Sequence, residues 1–498
     1  MVSRLMGFAR DMLFANLFGI NAATDAFFVA FKIPNFLRRL FAEGAFAQAF
    51  VPALSDYKQV GDRASLKLFV DQTAGTLTLL LALATVVGVI AAPVLILLFA
   101  PGFYWEGDQY RLAVSMLKIT FPYLLFISLT AFAGSILNAH GKFAVPAITP
   151  VFLNVCMIAA AVWAAPCFAE PVIALAWGVF AAGVVQLSFQ IPALLRLGLM
   201  PRLRWGWREP GVRRIIKRML PAMLAVSVVQ VNLLFDTLMA SFLTSGSVSW
   251  LYYSDRLVEF PLGILGVAVA TVILPSLSEH HIADDGAAFS RALDWGLKLV
   301  VIIGLPATLG LMLLAEPIVS TLFQYNEFGA DDVLMAGRSL TAFALGLLAF
   351  VAIKVLVSGF TAKHDTQTPV RFGVYSVICN IVLNLVLVFP LTHAGVALAT
   401  SLAAYLNAGL LLWALLKQRI YQPARLWGWF LGRVILAGFV MSAGLFYFVD
   451  ASLWLGWGAS RRGLGLIVAI ALAMCVYLAC LWLLGIRLRH LSESGQRD

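Results

Sequence analysis

Long uninterrupted runs of apolar residues recur along the whole chain, for example in segments 76–100, 171–195 and 463–486. They reach the roughly 20 residues that an α-helix needs to cross about 30 Å of hydrocarbon. The runs are continuous, which favours helices over the short, alternating strands of a membrane barrel. We therefore predict an all-α polytopic membrane protein of about fourteen helices. The predicted spans are 3–20, 25–55, 68–99, 111–138, 145–165, 171–196, 218–243, 247–277, 288–323, 334–361, 369–390, 394–416, 427–449 and 463–486.

Composition and charge agree with a chain that lies in lipid. Of 498 residues, 61% are hydrophobic and 12% are charged, and the mean hydropathy is +0.92, whereas a soluble domain is about half apolar. The net charge of +10 does not indicate nucleic-acid binding, because the basic residues cluster in short loops where membrane topology explains them. The start of the chain does not resemble a cleavable signal. Five cysteines lack metal-ligand spacing and are interpreted as packing residues: Cys156, Cys167, Cys379, Cys475 and Cys480.

Lysine and arginine accumulate on alternate connections between the spans, as expected if those connections are cytoplasmic. The basic connections are marked by Lys58, Lys142, the segment 196–218, Arg291, Lys363 and Lys417, and the sparse ones by Asn21, Glu170, Ser245, Glu327 and Thr392. Arg461 and Arg462, on the predicted outer side, are the exception. An even helix count and a basic tail at 487–490 predict that both termini lie in the cytoplasm.

The chain resembles itself at an offset of about 223 residues. Pro52 falls on Pro275, Pro146 falls on Pro369, and one residue of slip brings Pro93 onto Pro317. A chance coincidence of helix-breaking prolines is the alternative, but three matches favour duplication. Each repeat then has six helices, an even number, so the copies should relate by a pseudo-two-fold axis along the membrane normal.

This repeat predicts an order of four regions. They are an N-terminal lobe at 1–196 (helices 1–6), a basic cytoplasmic linker at 197–217, a C-terminal lobe at 218–418 (helices 7–12), and two additional helices (13–14) with a basic tail at 419–498. Residues 207–218 mix apolar side chains with arginines, which fits either an interfacial amphipathic helix or a solvated segment.

Ionisable side chains inside the predicted spans concentrate in three helices. They are Arg4, Arg10 and Asp11 in the first, Asp25, Lys32, Arg38, Arg39 and Glu43 in the second, and Asp255, Arg256 and Glu259 in the eighth. Such groups are costly in a membrane and normally face protein or water, so they mark a functional surface. Arginine also offers a fork of donors that matches phosphate oxygens. We therefore expect a cationic cavity for a diphosphate or similar anionic headgroup.

The alternative is that these charges pair with one another or extend to the lipid headgroups. Arg256 has Glu259 three residues ahead of it, which is the spacing of a helical ion pair. This alternative stays open for Lys32 and Arg39, whereas we favour a function for Arg4, Arg10, Arg38 and Arg256.

A second polar set lies in the predicted C-terminal lobe. Asp236, Asn380, Asn384 and Thr400 offer one carboxylate with amide and hydroxyl oxygens, and the Val396 carbonyl is a further ligand. Hard oxygen donors of this kind suit Na⁺. Polar hydrogen bonds that hold helices together are the alternative. The six histidines lie in or near loops without a nucleophile, and no phosphate-binding glycine loop is present, so we do not expect an enzyme.

Four segments carry a resemblance to a known family. They read GFARD at 7–11, TDAFFVAFKIPN at 24–35, LRRLFAEGAF at 37–46 and WLYYSDRLVEFP at 250–261. In these segments the sequence closely resembles the MurJ (MviN) lipid II flippases, and the match covers essentially the whole chain. Family members usually begin with further apolar residues before the pair that corresponds to Ser3 and Arg4, so we expect a misassigned start codon or a truncation.

The resemblance implies the multidrug/oligosaccharidyl-lipid/polysaccharide exporter fold and the transfer of lipid II to the outer leaflet for peptidoglycan synthesis. It places cavity arginines at Arg4, Arg10, Arg38 and Arg256, with Asp25 and Glu259 as acidic companions. Arg39 and Asp255, charged residues of the same predicted helices, complete the expected substrate-binding set. The resemblance also implies a lipid-facing groove on the last two helices for the polyprenyl tail, and Na⁺ at Asp236, Asn380, Asn384, Val396 and Thr400 as in some members. Transport would be biased by Na⁺, protons or the membrane potential.

Other expectations concern partners and competing functions. Membrane lipids are expected around a monomer, and components of the cell-wall synthesis machinery are candidate partners. A drug exporter or another lipid-linked oligosaccharide exporter of the same superfamily is the first alternative function. A membrane phosphatase acting on polyprenyl diphosphate is the second, although it would require a nucleophile and an acid/base cluster.

Overall fold

The structure is a computed structural model that describes residues 2–40, 46–59, 62–283, 285–424 and 426–486. Every regular element in these ranges is helical, which confirms the predicted all-α fold. The chain divides into two compact units, Met1–Ser249 and Trp250–Asp498. The boundary between these units falls after the seventh predicted span.

The helices of the first unit follow one another with short connections. They are α1 (Val2–Phe18), α2 (Ala22–Arg38), α3 (Ala47–Gln59), α4 (Arg63–Ile90), α5 (Ala92–Phe99), α6 (Gly107–Thr120), α7 (Tyr123–Ala139), α8 (Ala144–Ala159), α9 (Ile173–Leu197) and α10 (Pro210–Ser241). A 3₁₀ turn at Pro101–Trp105 follows α5, and a π-helical turn at Ala160–Ala164 continues α8.

The second unit contains the remaining helices, the first of which starts just before the boundary. They are α11 (Ser247–Ala268), α12 (Leu274–Ile282), α13 (Gly286–Leu313), α14 (Ala315–Phe323), α15 (Ala330–Ala362), α16 (Gln367–Lys417), α17 (Trp427–Phe448), α18 (Ala451–Gly456) and α19 (Ala459–Leu483). A π-helical turn at Val269–Ile273 joins α11 to α12.

Ten helical segments in the described part of the chain are long and apolar enough to cross a membrane. Large apolar side chains are exposed on their surfaces, for instance Leu83, Val87 and Ile90 on α4 and Ile467 and Leu472 on α19. In water such a surface would be costly, whereas lipid covers it without penalty. The chain is therefore a multi-pass membrane protein, and the count of fourteen helices stays a prediction.

Within the described residues, three spans that the sequence predicts as continuous are broken. The span 68–99 divides into α4 and α5 at Ala91, 288–323 divides into α13 and α14 at Leu314, and 111–138 divides into α6 and α7 beside Pro122. Each break lies next to a proline, which lacks a backbone donor and therefore weakens the preceding helical turn. Hydrophobicity continues through the breaks, so a search for apolar runs does not detect them.

The helix boundaries repeat at the same offset of about 223 residues. Helices α4 and α13 both have 28 residues, and the pair α6–α7 at Gly107–Ala139 matches α15 with 33 residues each. Asp62 caps the start of α4 and Asp285 caps the start of α13, each by accepting hydrogen bonds from backbone amides through its carboxylate: two for Asp62 and one for Asp285. These coincidences of length and capping support the internal duplication.

Helix α16 spans 51 residues but is interrupted at Thr392, whose φ of 50° and ψ of −130° are not helical. The predicted spans 369–390 and 394–416 meet at this residue. A threonine with positive φ is strained, and the surrounding packing holds it. A Cβ at Gly395 would lie 2.2 Å from the carbonyl oxygen of Leu387, so the close approach across the kink requires glycine.

The basic segment before α10 packs against α4 within the first unit. Asp71, buried on α4, accepts a hydrogen bond from the Arg202 amide at 2.8 Å, and the Gly206 amide donates to Thr76 at 3.1 Å. Helix α10 then begins at Pro210 and is continuous for 32 residues. Residues 210–218 therefore form the first turns of a long helix rather than a separate amphipathic helix.

Candidate functional site

Arg10 and Asp11 on α1 form a buried ion pair. Arg10 Nη2 lies 2.5 Å from Asp11 Oδ1, and the two side chains are 5% and 2% exposed. Arg10 Nη1 also donates to Asn154 Oδ1 of α8 at 3.1 Å, and Asn154 Nδ2 donates to the Ser3 carbonyl at 3.0 Å. Arg10 thus joins α1 to α8 within the first unit.

Asp25, on the first turn of α2, is fully enclosed and accepts several hydrogen bonds. Its Oδ2 accepts from the Gly246 amide at 2.7 Å, and its Oδ1 accepts from the Ser249 amide at 2.8 Å and the Ser249 hydroxyl at 2.5 Å. Backbone amides at the start of a helix lack intrahelical partners and favour a carboxylate. The geometry therefore gives Asp25 a positioning role at the start of α11.

The other charged residues of α1 and α2 are more accessible. Arg4 is exposed, and Arg38 and Arg39 are half-buried near the end of α2. Arg38 Nε donates to Asn35 Oδ1 at 2.8 Å, one turn earlier. Lys32 Nζ donates to Thr237 Oγ1 of α10 at 2.5 Å, so Lys32 contributes to packing within the unit. Glu43 lies outside the described residues.

The predicted charged stripe on α11 is present in the second unit. Tyr253 and Ser254 are completely buried, whereas Asp255 and Arg256 are half-buried and Glu259 is exposed. Arg256 Nη1 lies 2.7 Å from Glu259 Oε2, and these side chains are 31% and 44% exposed. The Arg256 guanidinium also lies 5.1 Å from the ring centre of Tyr252.

The Arg10–Asp11 and Arg256–Glu259 ion pairs differ in burial, and burial decides what a ligand can do with each pair. Breaking a buried pair such as Arg10 with Asp11 costs on the order of 3–5 kcal/mol. A partly exposed pair at helical spacing such as Arg256 with Glu259 contributes only about 0.3–0.5 kcal/mol. A dianionic ligand can therefore replace Glu259 at Arg256 at little cost, whereas Arg10 is better suited to holding α1 in place.

Four of the five predicted Na⁺ ligands come together on the two halves of α16. Asn380 Nδ2 donates to Thr400 Oγ1 at 3.0 Å, Asn384 Nδ2 donates to Asn380 Oδ1 at 2.7 Å, and Thr400 Oγ1 lies 3.2 Å from the Val396 carbonyl oxygen. Asn380, Asn384 and Val396 are completely buried. The fifth residue, Asp236, lies on α10 in the other unit and is 8% exposed. No group of three or more His, Cys, Asp or Glu side chains that could hold a metal occurs within the described ranges.

Lys354 and Asp294 are among the charged residues inside spans that were not singled out from the sequence. Lys354, on α15, is exposed and its Nζ lies 3.4 Å from the Leu262 carbonyl of α11. Asp294, on α13, accepts from Tyr421 Oη at 2.8 Å and pairs with Lys298 at 2.6 Å, which ties α13 to the connection before α17. The signals that could have identified them are a lone charge inside an apolar run for Lys354 and the i, i+4 spacing to Lys298 for Asp294.

An all-helical multi-pass fold that carries arginines and partly buried carboxylates within its helices defines an integral membrane transporter. A family model described as lipid II flippase MurJ matches residues 14–461. The chain belongs to this family, whose members are transporters rather than enzymes.

Individual relatives and solved structures agree with this assignment. The chain is 47% identical over 504 residues to a probable lipid II flippase MurJ of Vibrio cholerae serotype O1, covering 100% of this chain and 96% of that protein. It is 41% identical over 503 residues to the lipid II flippase MurJ of Burkholderia cenocepacia, covering 100% and 97%.

Among solved structures, an inward closed conformation of lipid II flippase MurJ matches with a TM-score of 0.82 and 26% identity, covering 96% of both chains. An inward-facing multidrug resistance MATE transporter of the MOP superfamily matches with a TM-score of 0.66 and 15% identity, covering 84% of this chain and 94% of that one. The second likeness concerns the fold alone.

Proposed function

We propose that this protein moves lipid II, an undecaprenyl diphosphate that carries a disaccharide-pentapeptide, from the cytoplasmic to the periplasmic leaflet for peptidoglycan synthesis. The observation that carries the proposal is the similarity to named lipid II flippases over the whole chain. The proposed cycle is alternating access, in which the headgroup is bound by arginines while the polyprenyl tail stays in lipid.

Arg256 is the residue to which we assign the diphosphate. Its guanidinium is partly exposed and is held by a weak ion pair with Glu259, which a phosphate can replace with two parallel hydrogen bonds. Arg4, Arg38 and Arg39 are also accessible and would add positive charge around the headgroup. Arg10, Asp25 and Asp255 complete the proposed set, with Arg10 and Asp25 acting through the positions of α1 and α11.

The test replaces Arg256 in cells that depend on this protein. Arg256→Ala should fail to support growth, and lipid II should accumulate in the inner leaflet, where an impermeant headgroup reagent cannot reach it. Arg371→Ala is the matched control, because Arg371 is an exposed arginine of α16 that stacks on Tyr375 and lies outside the proposed set. Normal growth and normal headgroup exposure with Arg256→Ala would contradict the assignment.

A bound Na⁺ is a separate part of the proposal, with Asp236, Asn380, Asn384, Val396 and Thr400 as its ligands. The buried hydrogen-bonded oxygens on the two halves of α16 support it. The ion would bias the cycle together with the membrane potential, which supplies about 2.3 kcal/mol per charge per 100 mV. Protons are the alternative coupling ion.

Thermal stability of the purified protein tests the ion site, because a ligand that binds the folded state raises the unfolding temperature. NaCl should stabilise the wild type more than choline chloride at equal ionic strength, and Asn380→Leu should remove the difference. Asn407→Leu is the control, since Asn407 lies on the same helix outside the set. Equal stabilisation by both salts would leave interhelical hydrogen bonding as the role of these residues.

We further propose that the protein acts as a monomer in the bacterial inner membrane, with both termini in the cytoplasm. The alternation of lysine and arginine between connections supports this orientation. Components of the cell-wall synthesis machinery that supply or consume lipid II are the expected partners.

A further inference from the structure

A cavity of about 700 Å³ lies within the second unit, and none of the proposed substrate or Na⁺ ligands lines it. Its volume falls in the range of about 300–1,000 Å³ that is typical of small-molecule sites. The apolar part of its wall is formed by Leu313, Leu345 and Leu398, and the polar part includes Glu316 and Arg338. The cavity therefore combines an apolar surface with one carboxylate and one guanidinium.

The cavity lies near the predicted outer ends of the helices that form it. Pro390 and Thr392, at the kink of α16, belong to its lining. Arg338 comes shortly after the start of α15 at Ala330, and eight residues of helix rise about 12 Å. The connections near Glu327 and Thr392 are poor in lysine and arginine, which places this end at the outer leaflet.

Glu316 and Arg338 approach the cavity from neighbouring helices, α14 and α15. A Cβ at Gly337 would lie 2.9 Å from Glu316 Cγ, so glycine at this position brings the two helices close together. Within the described ranges neither charged side chain has an ion-pair partner, and the polar contact of Arg338 is Nη1 to the Met335 sulfur at 4.0 Å. Charged groups at membrane depth normally acquire a partner.

The two charges select the ligand by their signs. A purely anionic lipid would be attracted by Arg338 but repelled by Glu316, and a cationic drug would meet the opposite conflict. A molecule that carries a phosphate and a primary ammonium satisfies both, since guanidinium binds phosphate through paired donors and a carboxylate accepts from an ammonium. The apolar wall then suits an acyl chain.

We propose that this cavity binds a zwitterionic phospholipid of the outer leaflet, with its phosphate at Arg338, its primary ammonium at Glu316 and its acyl chain along Leu313, Leu345 and Leu398. Such a lipid would fill the space between α14, α15 and the kink of α16. Such a lipid site would exist whether or not the protein transports lipid II.

Native mass spectrometry of the full chain, purified with an equimolar mixture of phosphatidylethanolamine, phosphatidylglycerol and phosphatidylcholine, tests this proposal. The wild type should retain phosphatidylethanolamine in preference to the other two lipids. Glu316→Gln keeps the size of the side chain and removes its charge, and Arg338→Gln leaves a shorter polar side chain without charge. Each variant should lower this retention about tenfold, because it removes one charge-assisted hydrogen bond.

Matched controls separate loss of the site from loss of folding. Asp331→Asn and Arg371→Gln remove exposed charges of α15 and α16 that do not line the cavity, and both should retain the lipid as the wild type does. Ala342→Phe, a cavity-lining position, should expel the lipid by filling its space while both charges remain. A far-UV circular dichroism spectrum and a gel-filtration profile that match those of the wild type show in each variant that the fold is intact.

Free phosphoethanolamine distinguishes a lipid from a soluble zwitterion. It should fail to displace the bound phospholipid at equal concentration, because the acyl contacts are missing. Displacement by the free headgroup, preference for phosphatidylglycerol, or equal lipid retention in wild type, Glu316→Gln, Arg338→Gln and Ala342→Phe would each overturn the proposal.

Discussion

Arg462 is 6% exposed, and its guanidinium donates to four backbone carbonyl oxygens. It lies 2.9 Å from the oxygens of Trp454, Leu455 and Gln324 and 3.4 Å from that of Ser320. Carbonyls at helix C-termini lack intrahelical partners and carry partial negative charge, so a buried cation is favourable there. This role accounts for an arginine on a connection that the sequence predicts to be on the outer side, where basic residues are otherwise sparse.

We predict that Arg462→Met destabilises the protein by about 3 kcal/mol, because the buried carbonyls lose their donors. Denaturation of the purified protein in detergent, followed by tryptophan fluorescence, measures the change. Arg461→Met is the control, since Arg461 is exposed and stacks 4.4 Å from the ring centre of Trp457. Equal unfolding midpoints for the two variants would rule out a structural role for the buried guanidinium.

At the level of single residues, local partners could be predicted from the sequence and distant partners could not. The Arg256–Glu259 pair follows from a spacing of three on one helix, and the structure contains it. The contact of Arg10 with Asn154 joins residues far apart in the chain, and no periodicity encodes it. Asp25 likewise binds backbone amides at Gly246 and Ser249, and these depend on packing rather than on residue type.

At the level of elements, the apolar runs predicted the presence of helices more accurately than the positions of their ends. Helices α13 and α15 begin within a few residues of the predicted spans, because an apolar run and its polar flanks mark a crossing. Helix α10 begins at Pro210 rather than at 218, since its basic first turns lie outside the apolar run. The repeat identifies two of the breaks that the apolar runs miss, because Pro93 and Pro317, which it aligns, lie just after the breaks at Ala91 and Leu314.

The cap of α4 makes the stability of one helix end dependent on pH. Asp62 accepts from the amides of Ala64 and Ser65 at 3.0 Å each and from the Ser65 hydroxyl. These hydrogen bonds favour the carboxylate and lower the pKa of Asp62 below its ordinary value of 3.8. A lowered pKa stabilises the folded helix end above the ordinary value, and this contribution disappears as the pH falls through the lowered value.

We therefore predict that the Ala64 and Ser65 amides exchange hydrogen faster as the pH drops below about 4, after correction for intrinsic exchange. Hydrogen-deuterium exchange resolved by mass spectrometry of peptides from this region measures the effect. Asp62→Asn keeps an acceptor at the cap without a titrating group, so its protection should not depend on pH in this range. A wild type with constant protection between neutral pH and pH 3 would show that the carboxylate charge contributes nothing.

At the scale of the whole molecule, the membrane makes the fold class easier to predict than any contact. Lipid offers no hydrogen bonds, so every backbone group in it must be satisfied internally, and continuous apolar runs can then only be helices. The structure confirms this conclusion in its described residues. The number of membrane crossings is harder to predict than the fold class. Helices α1 and α2 have only 17 residues each and carry charges, so their sequences differ less from those of the connections.

Topology follows from the helices once one crossing is fixed. The helical segment Ala144–Cys167 has 24 residues and is therefore about 36 Å long, enough for one passage. Lys142 precedes it and Glu170 follows it, and both side chains are exposed. We therefore predict that these two residues lie on opposite sides of the membrane, with Lys142 in the cytoplasm by the positive-inside rule.

We predict that Lys142→Cys and Arg291→Cys are protected from an impermeant thiol reagent in intact cells with a permeabilised outer membrane, whereas Glu170→Cys and Glu327→Cys are labelled. The background lacks the five native cysteines, which are all free thiols. Disruption of the inner membrane should expose the first pair, which controls for reactivity.

Labelling of Lys142→Cys from outside would show that the chain has the opposite orientation. Labelling of Lys142→Cys and Glu170→Cys from the same side would show that Ala144–Cys167 does not cross the membrane. Because one orientation must satisfy all four positions, the experiment tests the duplicated topology as a unit rather than one loop at a time.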